Sequence, residues 1–96
     1  MGTMRNVDLK LKGIIYMKED TATTSYAAII TNYTATSLLV HNIGDTNDLW
    51  LTNDGGTTKK TISPGDAFSA DGLWDHANCK VRTNAGTTDY EVVYTQ

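Results

Sequence analysis

Apolar and polar residues alternate along this chain in short stretches, and no stretch of about 11 or more residues sustains an apolar period of 3.6. Val7, Leu9 and Leu11 alternate with Asp8, Lys10 and Lys12. They predict a half-buried strand that continues past Gly13 through Ile14 to Met17 and is closed by Lys18-Glu19-Asp20. Tyr26-Ala27-Ala28-Ile29-Ile30 is apolar on both faces, as expected of a strand central in the fold or of one whose second face meets another chain. Leu38-Leu39-Val40 forms the next strand and Asn42-Ile43-Gly44-Asp45 ends it. Leu49-Trp50-Leu51 follows and stops at Asn53-Asp54-Gly55-Gly56, a strong turn signal. Lys59 to Ser63 and Ala67-Phe68-Ser69 are further short runs. In Cys79-Lys80-Val81-Arg82 the alternation turns Cys79 and Val81 inward. Asn84-Ala85-Gly86 then leads into a last strand over Tyr90 to Tyr94, where Tyr90, Val92 and Tyr94 share a core-facing side.

Short strands at such close intervals predict an all-β fold: a small, jelly-roll-like β-sandwich of about eight antiparallel strands. Residues 1–6 carry no apolar pattern and read as an N-terminal arm, with residues 7–96 as a single domain. The one proline, Pro64, stands beside Gly65. Proline fixes φ and lacks an N–H, while glycine accepts a positive φ, so this pair suits the centre of a type II turn with Ile62 and Phe68 facing one core. Trp74 would pack over the end of that core.

Composition narrows the function more by exclusion than by signature. Apolar residues make up 40% of the chain, and its eight glycines bring it close to an ordinary globular balance. A single cysteine, Cys79, rules out an intramolecular disulfide framework and reads as a small buried hydrophobe. No apolar signal-peptide core and no membrane-length apolar run is seen, which predicts no membrane partner. The net charge of −3 argues against nucleic acid, and its distribution is uneven. Residues 1–18 hold four cations against one carboxylate (+3), and residues 19–96 hold four against ten (−6). Arg5, Lys10 and Lys12 therefore form a basic leading strip suited to an acidic partner surface, and Tyr26 and Ile29 are the residues through which a second copy would associate.

No catalytic set emerges. Asp45, Asn47 and Asp48 lack the spacing of a calcium loop, with Leu49 where a ligand belongs, and turn chemistry accounts for them. Asp71, Asp75 and His76 have no framed nucleophile or metal partner, Ser69 lacks a nucleophile elbow, and His41 and His76 are far apart. Asn32-Tyr33-Thr34 matches a glycosylation triplet. The reading is non-enzymatic, with no cofactor and no metal.

From Leu38 to Gln96 the succession of Asn42-Ile43-Gly44, Leu49-Trp50-Leu51, Pro64-Gly65-Asp66, Phe68, Asp71-Gly72, Val81 and Glu91-Val92-Val93-Tyr94 resembles the small β-sandwich proteins of tailed bacteriophage particles, the capsid decoration and tail or fibre accessory modules. The resemblance implies a virion structural protein made in the host cytoplasm, a capsid decoration or cement subunit that forms a homo-oligomer and binds the major capsid protein or another virion protein. Its alternative is a tail or fibre module recognising a glycan or cell-surface receptor. It transfers no functional residue, because the matching positions are framework.

Overall fold

The computed structural model describes residues 14–31 and 34–96. They form eight strands and no helix: β1 (Ile15–Ala22), β2 (Ala27–Ala28), β3 (Ala35–Asn42), β4 (Leu49–Thr52), β5 (Lys60–Ile62), β6 (Ala67–Trp74), β7 (Lys80–Thr83) and β8 (Thr88–Thr95). Two four-stranded sheets result, sheet I in the order β1-β8-β3-β6 and sheet II in the order β2-β7-β4-β5, and every neighbouring pair is antiparallel. Successive strands switch sheets at each step except the β4–β5 hairpin, which is the jelly-roll arrangement expected from the sequence. The arm at residues 1–6 and the strand over Val7–Lys12, with Arg5, Lys10 and Lys12, lie outside the described residues.

Strand alternation builds the core. From sheet I, Leu38, Val40, Tyr90, Val92 and Tyr94 turn inward. Leu49, Leu51, Ile62 and Val81 meet them from sheet II, all at most 3% exposed. Burial of each such side chain is worth on the order of 1.5–3 kcal/mol. Tyr16 stacks on Tyr94 with ring centroids 5.1 Å apart, and Phe68 meets Trp74 edge-on at 6.4 Å over the edge of this core. One polar side chain sits among the apolar ones. Asn42 is fully buried, donates from Nδ2 to the carbonyls of Asn47 and Ile62, and accepts at Oδ1 from Gly44 N–H and the Thr88 hydroxyl. It joins the ends of β3, β5 and β8 with no amide group unpaired, which removes the penalty of burying it. Gly44 is required there because a Cβ would collide with the Thr88 hydroxyl.

The Pro64-Gly65 corner forms as expected. Asp66 N–H donates to the Ser63 carbonyl at 2.9 Å, Gly65 has φ 83°, and Gly65 N–H donates to the Asn42 carbonyl at 2.8 Å. The corner is scaffold.

Three expectations need correction. Lys18-Glu19-Asp20 does not close the first strand but lies within β1, which runs to Ala22; β1 is an edge strand, where charged residues meet water. The strand expected to end at Ser69 continues to Trp74. Gly72 and Leu73 oppose the single residue Thr36, and this bulge turns Leu73 outward before Trp74 returns to the core. Tyr26–Ile30 is not a central strand apolar on both faces. Only Ala27 and Ala28 pair, on the edge of sheet II, after which Ile29 and Ile30 both enter the core at 0% and 1% exposure. An irregular segment needs no alternation, so its unbroken apolar run marks chain diving inward. Ile29 is core and unavailable to a second copy.

Candidate functional site

The side chains free to act lie on the outer faces of the two sheets. On sheet II, Trp50 of β4 pairs with Arg82 of β7. Because Leu49, Leu51, Val81 and Thr83 point inward, both project to the outside. The Arg82 guanidinium lies 4.6 Å from the Trp50 ring centroid and 5.7 Å from that of Tyr26, and Lys59 Nζ lies 4.1 Å from Trp50. Tyr26, Arg82, Trp50 and Lys59 thus form a row of alternating aromatic rings and cations, with Lys80 two residues before Arg82 on the same face of β7.

The backbone fixes each member. Arg82 Nε donates to the Thr83 carbonyl at 3.0 Å, which holds the guanidinium in place. Gly56 takes φ 118° and its missing Cβ leaves room for the Tyr26 ring, whose nearest atom a Cβ would meet at 3.0 Å. Lys59 follows a loop organised by Asp54, whose carboxylate accepts from the N–H and hydroxyl of Thr58, the Thr52 hydroxyl and Gly56 N–H. These bonds, those of Thr58 foremost, hold the Asp54 carboxyl well below the usual carboxylate range.

Charge is sorted by sheet. The strands of sheet II carry Lys60, Lys80 and Arg82 and no carboxylate; those of sheet I carry Glu19, Asp20, Asp71, Asp89 and Glu91 against Lys18. Among the described residues the ion pairs are His41–Glu91 and His76–Asp75, so no described carboxylate pairs with the cations of sheet II.

The outer face of sheet I is different in kind. Met17, Val93 and Leu39 lie side by side across β1, β8 and β3, with Met17 76% and Leu39 37% exposed. The adjacent row is Glu19, Glu91 and His41. His41 Nδ1 lies 2.9 Å from Glu91 Oε1, and that bond, against a smaller opposing effect of desolvation, raises the histidine pKa above its ordinary value. Shallow depressions of about 390 and 340 Å³ flank Val93, one bordered by Ser37, Leu39 and Asp71, the other by Met17, Glu19 and Glu91.

Of the residues singled out in the sequence, Tyr26 belongs to the cation–aromatic row. Ile29 does not, and Pro64 and Gly65 are a structural corner. Asn47 donates to the Thr87 carbonyl, and Asp48 N–H donates to the Asn84 side chain, which is turn chemistry. Asp75 accepts from Ala77 N–H and from the Asn78 amide in the turn before β7, with His76 Nδ1 at 3.5 Å; Asp71 is on the outer face of sheet I. Cys79 is fully buried, and burial foremost, then the charge of Asp75, pushes its thiol up to about 12, so it stays protonated and unreactive near neutrality. No group of three or more His, Cys, Asp or Glu residues able to hold a metal occurs among the described residues. The sequence reading missed Trp50, Arg82 and Lys59 as a set. Outward Arg82 was legible in the alternation of β7, but the β4–β7 pairing that brings Trp50 beside it was not.

No family model matches the sequence, and neither does any curated protein sequence. Solved structures do match in fold. Salicylate 1,2-dioxygenase from Pseudoaminobacter salicylatoxidans superposes with a TM-score of 0.56 at 10% identity, covering 84% of this chain and 20% of that one. A sugar phosphate isomerase from a cupin superfamily, from Silicibacter pomeroyi, gives 0.53 at 13% identity, covering 85% of this chain and 50% of that one. A de novo designed double-stranded β-helix gives 0.51 at 13% identity, over 82% of this chain and 97% of that one. The chain therefore spans about a fifth of the dioxygenase and half of the isomerase. The fold is of the cupin-like, double-stranded β-helix kind.

These matches overturn the virion role expected from the sequence. The matching structures include a dioxygenase, an isomerase from a cupin superfamily and a polyketide cyclase, and none of these is a phage structural protein. The likeness over Leu38–Gln96 rested on a Pro-Gly corner and a terminal Val-Val-Tyr strand, which are framework positions of the sandwich. The expectation of no catalysis loses the support it drew from that role, since enzymes occur among proteins of this fold.

Proposed function

We propose that this protein is a binding module that holds an acidic protein surface against the outer face of sheet II. The observation that carries this reading is the Tyr26–Arg82–Trp50–Lys59 row with Lys80 on the same face, on a sheet whose strands hold no carboxylate; Lys60, beside Leu51, turns the other way toward the Phe68 ring. Lys59 is exposed and Lys80 and Arg82 are half-buried, so their charge remains within reach of a partner while the rings supply apolar contact area. Because cations already cover the Trp50 ring, the face offers positive charge on an aromatic bed and little bare ring for a base or sugar to stack on.

A site in the core between the sheets is less well supported. That space is filled by side chains such as Leu38, Val40, Leu49 and Val92, and Cys79 within it is held as a neutral thiol. A non-haem iron centre of the two-histidine, one-carboxylate kind needs three converging donors. The described residues offer His41 with Glu91 and, separately, His76 with Asp75, neither completed by a third donor, so they do not fit such a centre.

Fluorescence tests the reading. Of the two tryptophans, Trp74 packs against the core, and Trp74→Phe leaves Trp50 as the reporter on the face. Titration with sodium poly-L-glutamate should change Trp50 emission saturably at 0.1 M salt. The change should weaken toward 1 M salt as the screening length falls from about 10 to about 3 Å. It should vanish in Lys80→Glu/Arg82→Glu. A flat titration, or an equal response from the charge-reversed variant, contradicts the reading.

A further inference from the structure

The two outer faces complement each other, and from this we infer that the acidic surface taken up by sheet II is the sheet I face of a second copy. The inference rests on the binding-face reading above and names its partner. Sheet I presents a strip of Met17, Val93 and Leu39, in which Met17 and Leu39 are exposed and Val93 is half-buried, and beside it Glu19, Glu91 and Asp89 project from β1 and β8. Sheet II presents Tyr26 and Trp50 beside Lys59, Lys80 and Arg82. Each face thus offers apolar area flanked by charge, and the charges are opposite in sign.

That sign decides the geometry of association. Two sheet I faces meeting around a two-fold axis would set carboxylates against carboxylates, and two sheet II faces would set cations against cations; like charges at close range oppose both isologous pairings. Sheet I on sheet II is the pairing in which charge and apolar strips both match. The faces lie on opposite sides of the sandwich, so the contact is heterologous and does not use itself up: each added copy leaves one face of each kind free. The depressions on either side of Val93 give projecting side chains of the facing sheet somewhere to sit. The product is an open stack whose length grows with concentration.

Sedimentation velocity of the full chain from micromolar to high micromolar concentration at low and high salt is the test. The expected result is a sedimentation coefficient that rises with concentration at low salt and falls back toward the monomer value at 1 M. Glu19→Lys/Glu91→Lys and Lys80→Glu/Arg82→Glu should each stay monomeric alone, and their equimolar mixture should associate again, because each then offers the face the other lacks. Far-UV circular dichroism on each variant, with the single Lys59→Glu as a milder change, separates lost association from lost folding. A wild type that remains monomeric throughout overturns the inference. If that monomer still binds poly-L-glutamate at Trp50, the binding face stands and its partner is a different protein; if it binds neither, both readings fall. Association of either reversed variant alone as strongly as wild type also overturns it.

Discussion

The two sheets follow the same strand rule, inward residues apolar and outward residues facing water, yet their outer faces diverge. Sheet I exposes aliphatic side chains with carboxylates, and sheet II exposes aromatic rings with cations. The difference cannot be found by scanning charge along the chain, which shows a basic start and an acidic remainder. It appears because the jelly-roll path sends successive strands to opposite sheets. Lys59, before β5, and Arg82, in β7, are distant in sequence, yet both come to rest on Trp50 of β4. Topology sorts the charge.

The strongest way to break this comparison is at the boundary between core and face within one segment. Ile29 is fully buried and Tyr26 is half-buried on the outer face, three residues earlier. Ile29→Ala should cost about 2–5 kcal/mol by chemical denaturation, a large part of the stability of so small a domain. Tyr26→Ala should cost about 1 kcal/mol or less. Equal losses would mean that Tyr26 belongs to the core and not to the face. The corner supplies the next effect in size. A Cβ at Gly65 meets nothing within 4 Å, but φ is 83°, so Gly65→Val should cost about 1–3 kcal/mol through the backbone alone, with binding at sheet II unchanged. An unaltered denaturation midpoint would contradict the turn geometry.

Smaller effects sharpen each face separately. Trp50→Leu removes the ring beneath Lys59 and Arg82; about 1 kcal/mol of stability should go with it, and salt-dependent binding should weaken. On sheet I, the His41 pKa is raised, chiefly by its bond to Glu91. A raised folded-state pKa contributes stability that is fully present below the unfolded histidine value of about 6.5 and is lost as pH rises through the folded value. In Glu91→Gln the His41 titration, followed by nuclear magnetic resonance, should move back toward that ordinary value, and the pH step in stability should shrink. An unmoved titration would show that Glu91 does not set it.

Much of the scaffold was legible before the structure. Alternation over Cys79–Arg82 and Tyr90–Tyr94 assigned inward residues correctly, and Pro64-Gly65 announced its turn, because these are local signals read within a few residues. Errors arose where a run was judged by composition alone. Charges at Lys18–Asp20 looked like a terminus but sit on an edge strand, and Tyr26–Ile30 looked like a two-faced strand but is mostly a bend into the core. Trp50 illustrates the limit for the site. Between Leu49 and Leu51 it reads as one more apolar residue, and only the pairing of β4 with β7 turns it into a seat for Arg82. Long-range pairing is not encoded in any window around it.

The central claim is that sheet II, not sheet I or the space between them, is the binding face. Backbone amide shifts recorded while poly-L-glutamate is added to the full chain, at a dilution where it sediments as a monomer, test it most directly. The account predicts that perturbations gather on Trp50, Lys59, Lys80, Arg82 and Tyr26, fade with added salt, and spare Met17, Leu39 and Val93 on the opposite face. Perturbations centred on sheet I or on the buried residues between the sheets, or none that saturate, would contradict it.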